Sequence, residues 1–138
     1  MVYAVLRERR GIAVTTLKVG IASYEEMKAR TLAVARGERR IEPGEPKVWF
    51  TSTESFAKIL SASNRALLRL IAERAPESLE ALAQIAGRAK SNLSRTLRTM
   101  EHYGLVRLDR DERGRITPKV IYDRVELDVP LVLHRKAG

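Results

Sequence analysis

The residues best suited to chemistry lie between Lys90 and Tyr103, in KSNLSRTLRTMEHY. Ser91, Arg95, Arg98 and His102 recur there at i, i+4, i+7 and i+11. On a helix turning about 100° per residue, that spacing gathers them into a stripe about 60° wide. Leu93, Leu97 and Met100 fall on the opposite side, so one face can seal a core while the other offers donors. Arg can bond a guanine edge bidentately, and Asn can do the same to adenine. Asn92 sits on the first turn, where the base contacts of a groove-reading helix concentrate. A major groove about 12 Å wide admits one α-helix. Ser91, Asn92, Arg95 and Arg98 are therefore the candidates for base edges, and Arg88, Lys90 and His102 for phosphates. The free amides and partial positive charge at a helix N-terminus suit an anion as well. A solvated helix face also carries Arg and Ser, so the stripe gains its meaning from its neighbours.

Those neighbours are basic. The chain of 138 residues has a formal net charge of +9, which attracts polyanions such as DNA, RNA or an anionic membrane surface. Residues 81–100 contain no Asp or Glu but hold Arg88, Lys90, Arg95 and Arg98; acids resume at Glu101. Downstream, RDERGR at 110–115 reads as a polar turn between two strands. Arg113 and Arg115 at its tip, helped by Arg110 and Lys119, could reach phosphates or a narrow minor groove. Asp111 and Glu112 would blunt that field by pairing locally.

Other chemistries lack their residues. With no cysteine, neither a disulfide framework nor a thiolate metal site can form, and a reducing cytoplasm fits. His102 and His134 make no metal set. There is no glycine-rich phosphate loop, no HExxH and no GxSxG, so neither an enzyme nor a cofactor is expected. Glu25-Glu26 suit a helix N-terminus, and Asp111-Glu112 suit a turn. Aromatic platforms for single-stranded RNA are scarce, and Trp49 and Phe50 read as core. No run of 18 apolar residues is present, so no membrane span is expected. Arg7, Arg9 and Arg10 follow only a short apolar start, the wrong order for a secretory signal.

The elements that must hold the stripe follow from periodicity and caps. Val14–Ile21, rich in β-branched residues, is a predicted strand; residues 1–10 are either another strand or a leader. Ser23 with Glu26 forms a capping box for a helix to about Arg36. Pro43-Gly44-Glu45-Pro46, within 38–47, reads as a linker. The reading is thus a strand-helix extension over 1–47 and a main domain over 48–138. Val48–Phe50 is a short strand. Thr53 or Ser55 caps a short helix, and Ser61 or Ser63 opens another, ending near Ala75 before Pro76. Ser78 caps a third, Leu79–Ala86, closed by Gly87. The basic helix ends at Gly104. Leu105–Leu108 and Ile116–Tyr122 are strands, with Pro118 requiring an edge position. Val125–Val129 is the last strand.

The order helix, helix, helix, hairpin, with SLEALAQIAGRAKSNLSRTLRTMEHYGLVRL at 78–108, resembles winged helix-turn-helix transcription regulators of the MarR/ArsR-like type. That resemblance spans 61–122. It implies an α+β, mainly helical fold, with Ser78–Ala86 as positioning helix, Lys90–Tyr103 as recognition helix and the hairpin as wing. Thr16–Ile59, with SYEEMKARTLAVARGE and KVWFTSTESFAKIL, further resembles a group of prokaryotic regulators, some encoded beside toxins and regarded as antitoxins. Residues 1–12 match no pattern. Two departures matter. The Cys and His clusters of ArsR-like metal sensors are missing, and so are the long terminal dimerisation helices of MarR-like proteins. The expectation is a cytoplasmic homodimeric repressor binding double-stranded DNA. The alternative is an antitoxin that sequesters a toxin protein and autoregulates its operon.

Overall fold

Alternation of Leu17 and Val19 with Lys18 and Gly20 gives β1 (Thr16–Ile21) one apolar face, and both of those apolar residues are buried. The strand lies at the centre of a parallel sheet of order β2-β1-β5, with β2 at Val48–Phe50 and β5 at Arg124–Asp128. Registers run Val19↔Val48 to Ile21↔Phe50 on one side and Thr16↔Arg124 to Gly20↔Asp128 on the other. The computed structural model describes residues 15–132. The strand or leader read at 1–10, Val14 and His134 lie outside them.

Parallel neighbours need a crossover, and α1 (Tyr24–Ala35) supplies it between β1 and β2. The capping box is present in full: the Ser23 hydroxyl accepts from the Glu26 amide, and the Glu26 carboxylate accepts from the Ser23 amide. Gly37, at φ 73°, lets the chain turn back so that the Glu38 amide reaches the Ala33 carbonyl. The segment 38–47 is held to both elements it joins. Glu45 accepts from Arg30 and Arg39, and the Lys47 amide donates to the Lys18 carbonyl at 3.0 Å. The Arg30 hydrogen bond, opposed by some burial, keeps the Glu45 carboxyl below its ordinary pKa.

Four further helices follow: α2 (Thr53–Ile59), α3 (Ala62–Arg74), α4 (Leu79–Ala86) and α5 (Lys90–His102). Ser52, rather than Thr53 or Ser55, caps α2, because its extended backbone aims the hydroxyl at the Ser55 amide. Ser61 caps α3 and Ser78 caps α4. β3 (Val106–Arg110) and β4 (Ile116–Val120) form a separate antiparallel hairpin that places Pro118 opposite Leu108. With only two strands, both are edges, which accommodates a proline.

The fold is α+β. The boundary read at residue 47 does not separate two packing units. Leu17, Val19 and Phe50 of the sheet share one core with Leu67, Leu82, Leu97 and Val106. β5 also lies beside the first described residues, where the Asp123 and Arg124 amides donate to the Thr15 carbonyl. Prolines and a glycine exclude helix and central strand, and the segment they mark, 38–47, joins α1 to β2.

Phe50 joins the layers. Its ring stacks on Tyr103 at 4.0 Å between centroids and meets Phe56 edge-on at 5.4 Å. Trp49, on the other sheet face, is half-buried rather than core, with the Arg30 guanidinium 5.1 Å from its ring centroid. Its indole lies directly over Gly20, where a Cβ would collide with the ring. Gly20→Ala is therefore expected to destabilise the protein by about 1–3 kcal/mol despite alanine's better strand propensity. A lowered urea midpoint with unchanged slope would show it; an unchanged midpoint would mean that the indole moves aside freely.

Candidate nucleic-acid interface

Helix α5 takes its orientation from its apolar side. Leu93, Leu97 and Met100 are each 0% exposed, whereas Ser91, Asn92, Arg95, Arg98 and His102 are all exposed. A helix anchored along one complete side cannot rotate without opening the core, so the polar stripe is a fixed array. Among the described residues, Arg95 and Arg98 form no ion pair. Their guanidiniums keep all their donors, as an incoming acceptor requires. The His102 ring meets Tyr103 edge-on at 5.1 Å, which leans it against the ring stacked on Phe50.

The turn between α4 and α5 runs from Gly87, at φ 66°, to Ala89. Ala89 gives α5 no side-chain cap, although serine hydroxyls cap each of the other four helices among the described residues. Arg88, expected at a phosphate, has partners within the chain. Its guanidinium donates to the Ser63 carbonyl at 3.1 Å and to the Ser63 hydroxyl, with Asn64 Oδ1 at 3.5 Å. It thereby fastens the turn to the start of α3. The spacing along α5 could not reveal this, because Ser63 and Asn64 come near Arg88 only through tertiary packing.

The hairpin tip is organised by Asp111. Its carboxylate accepts from the Arg113 and Arg115 amides at 2.9 and 2.8 Å, and Gly114 takes φ 80° to close the turn. The acid forms an ion pair with only one cation of the tip among the described residues. Arg115 Nε stays 4.0 Å from Asp111, and among the described residues neither Arg110 nor Arg113 has an ion pair. Lys119, opposite Arg107 in the ladder, is exposed on β4, while Arg107 is engaged with Asp109 at 2.8 Å. That hydrogen bond is the main reason that the Asp109 carboxyl titrates below its usual range.

Arg113 and Arg115 come close to Lys90 across a cleft of about 450 Å³ that also includes Glu80. Glu80, which the sequence reading passed over, forms an ion pair with Lys90. Its place opposite Lys90 comes from the packing of α4 on α5, ten residues apart in sequence. A larger groove of about 1140 Å³ lies between α2, α3 and the start of β5, lined by residues such as Phe56, Leu60, Leu68, Tyr122 and Val125, and takes in no residue of α5. No helix among the described residues is long and apolar enough to cross a membrane.

A family model, HVO_A0114, matches residues 59–127. The match runs from the end of α2 through α3, α4, α5 and the hairpin into β5, and so includes every candidate contact residue. No curated protein and no solved structure matches the chain.

Proposed function

The chain belongs to the HVO_A0114 family, and we propose that it is a cytoplasmic transcription regulator that binds double-stranded DNA sequence-specifically, as a homodimeric repressor. In this reading α4, the turn at Gly87–Ala89 and α5 are a helix-turn-helix, and the β3–β4 hairpin is its wing. The observation that carries it is the two-sidedness of α5, sealed by Leu93, Leu97 and Met100 and presenting Ser91, Asn92, Arg95 and Arg98 outward. Those four face base edges. Lys90, Arg88, His102, Arg110, Arg113, Arg115 and Lys119 face phosphates or the minor groove, Arg88 by exchanging its contact with Ser63 at the start of α3. One module touches few base pairs, so two copies related by a two-fold axis would read half-sites about 34–36 Å apart or multiples of that.

The test is fluorescence anisotropy with duplex from the protein's own promoter against a scrambled duplex of equal length, at two salt concentrations. Selective binding that weakens with salt yet stays selective is expected. Equal binding to both duplexes, lost together as salt rises, would reject sequence-specific recognition.

A second reading is favoured by α1, none of whose residues is buried, and by the exposure of Tyr24 at 70%, Leu32 at 43% and Ile41 at 68%. Apolar groups left exposed on that helix and on the segment after it suit a protein partner. This reading is an antitoxin that sequesters a toxin and uses its DNA contacts for autoregulation. Co-purification of a second small protein from the native operon would support it; a stable dimer with no companion would count against it.

A further inference from the structure

Three cations converge on the cleft between the hairpin tip and the start of α5: Lys90, Arg113 and Arg115. One anion, Glu80, lines the same cleft and takes Lys90 as its ion-pair partner. Both members of that pair are more than half exposed, at 56% for the lysine side chain and 62% for the glutamate. Water therefore reaches the pair, and another anion can displace the carboxylate at little cost. Arg113 is free of ion pairs among the described residues, and Arg115 is only loosely engaged by Asp111 at 4.0 Å. The cleft is thus a concave cationic seat whose one lining carboxylate already occupies the ammonium group.

We propose that this cleft seats a DNA backbone phosphate, and that Glu80 is a built-in competitor which holds Lys90 until the phosphate replaces it. The inference rests on the DNA-binding reading and adds to it a residue that weakens binding. Its physical content is an exchange. Lys90 leaves a carboxylate for a phosphate, and the freed Glu80 recovers solvent and a counter-cation. The cation released from DNA by Lys90 is then offset by one taken up at Glu80, so Lys90 adds little to the salt dependence. Without the carboxylate, Lys90 would contribute its full share, about 0.9 in the slope of log K against log salt. The same logic requires the effect to pass through Lys90 rather than through bulk charge.

The experiment is a double-mutant cycle of E80Q and K90Q in the full chain, with promoter duplex titrated at several salt concentrations and circular dichroism confirming that each variant is folded. E80Q alone is expected to bind more tightly at low salt, by roughly 3–10-fold, with a slope steeper by about one. In the K90Q background, the same change should leave affinity and slope nearly as they were. An E80Q gain of equal size with and without Lys90 would overturn the proposal, since Glu80 would then merely repel DNA. An E80Q protein indistinguishable from wild type would also overturn it, while wild-type selectivity would leave the DNA reading intact. A wild type that binds no duplex would instead remove the DNA reading, and this inference with it. Inorganic phosphate, titrated against the amide resonances of Lys90, Arg113 and Arg115, separates the two sources of phosphate. Saturation by phosphate alone at concentrations where duplex fails to bind would mark a site for a free anion and overturn the DNA assignment.

Discussion

Phe50→Ala is expected to lower folding stability by about 3–5 kcal/mol, in the range for truncating a buried aromatic. The ring is 1% exposed, stacked on Tyr103 and edge-on to Phe56. Its removal would leave a void where the parallel sheet, α2 and the end of α5 meet. Stability of a domain this size is about 5–15 kcal/mol in all, so the variant should approach the limit of folding. Urea denaturation followed by circular dichroism measures the loss. Tyr24→Ala is the control: that ring is 70% exposed, and its change should stay within about 0.5 kcal/mol. A loss below about 1 kcal/mol at Phe50 would mean that the sheet and the helices are separate cores rather than one. Wild-type unfolding in two resolved steps would say the same.

Arg95→Ala is expected to weaken operator binding by about 1–3 kcal/mol, or about 5–150-fold, and to relax preference at one base pair. It should hardly change folding stability, because the side chain is exposed and makes no ion pair among the described residues. That separation distinguishes loss of a contact from loss of the helix. Binding to duplexes substituted one base pair at a time identifies the position read. Arg113→Ala is the contrast, expected to weaken all sequences alike and to reduce the salt slope by about one. If Arg95→Ala also weakened every duplex equally, Arg95 would be a phosphate ligand and α5 would lie differently in the groove.

Much of the fold could be read from local signals. The serine caps at 23, 61 and 78, the helix stops at Gly37, Gly87 and Gly104, and the period change after Gly104 each act within a few residues, so the chain alone specifies them. The two faces of α5 belong to the same class: once the helix exists, its 3.6-residue turn decides that Leu93, Leu97 and Met100 oppose Arg95 and Arg98. The exposed stripe was therefore legible before any tertiary contact was known.

The remainder depended on elements distant in sequence. That β1 is flanked on both sides by parallel partners, one of them β5 from the far end of the chain, is not encoded in either strand; it follows from how the helices fill the space between. For the same reason the prolines and glycine of 38–47 do not disclose that the segment is held to both elements it joins. Within the site, the sequence determined which residues carry charge, but only the tertiary structure decided how that charge is used. Arg88 is drawn away to Ser63 and Asn64, and Lys90 is held by Glu80. Charge is a property of the residue, whereas its partner is chosen by whatever folding brings within reach, and a spacing rule along one helix does not contain that choice.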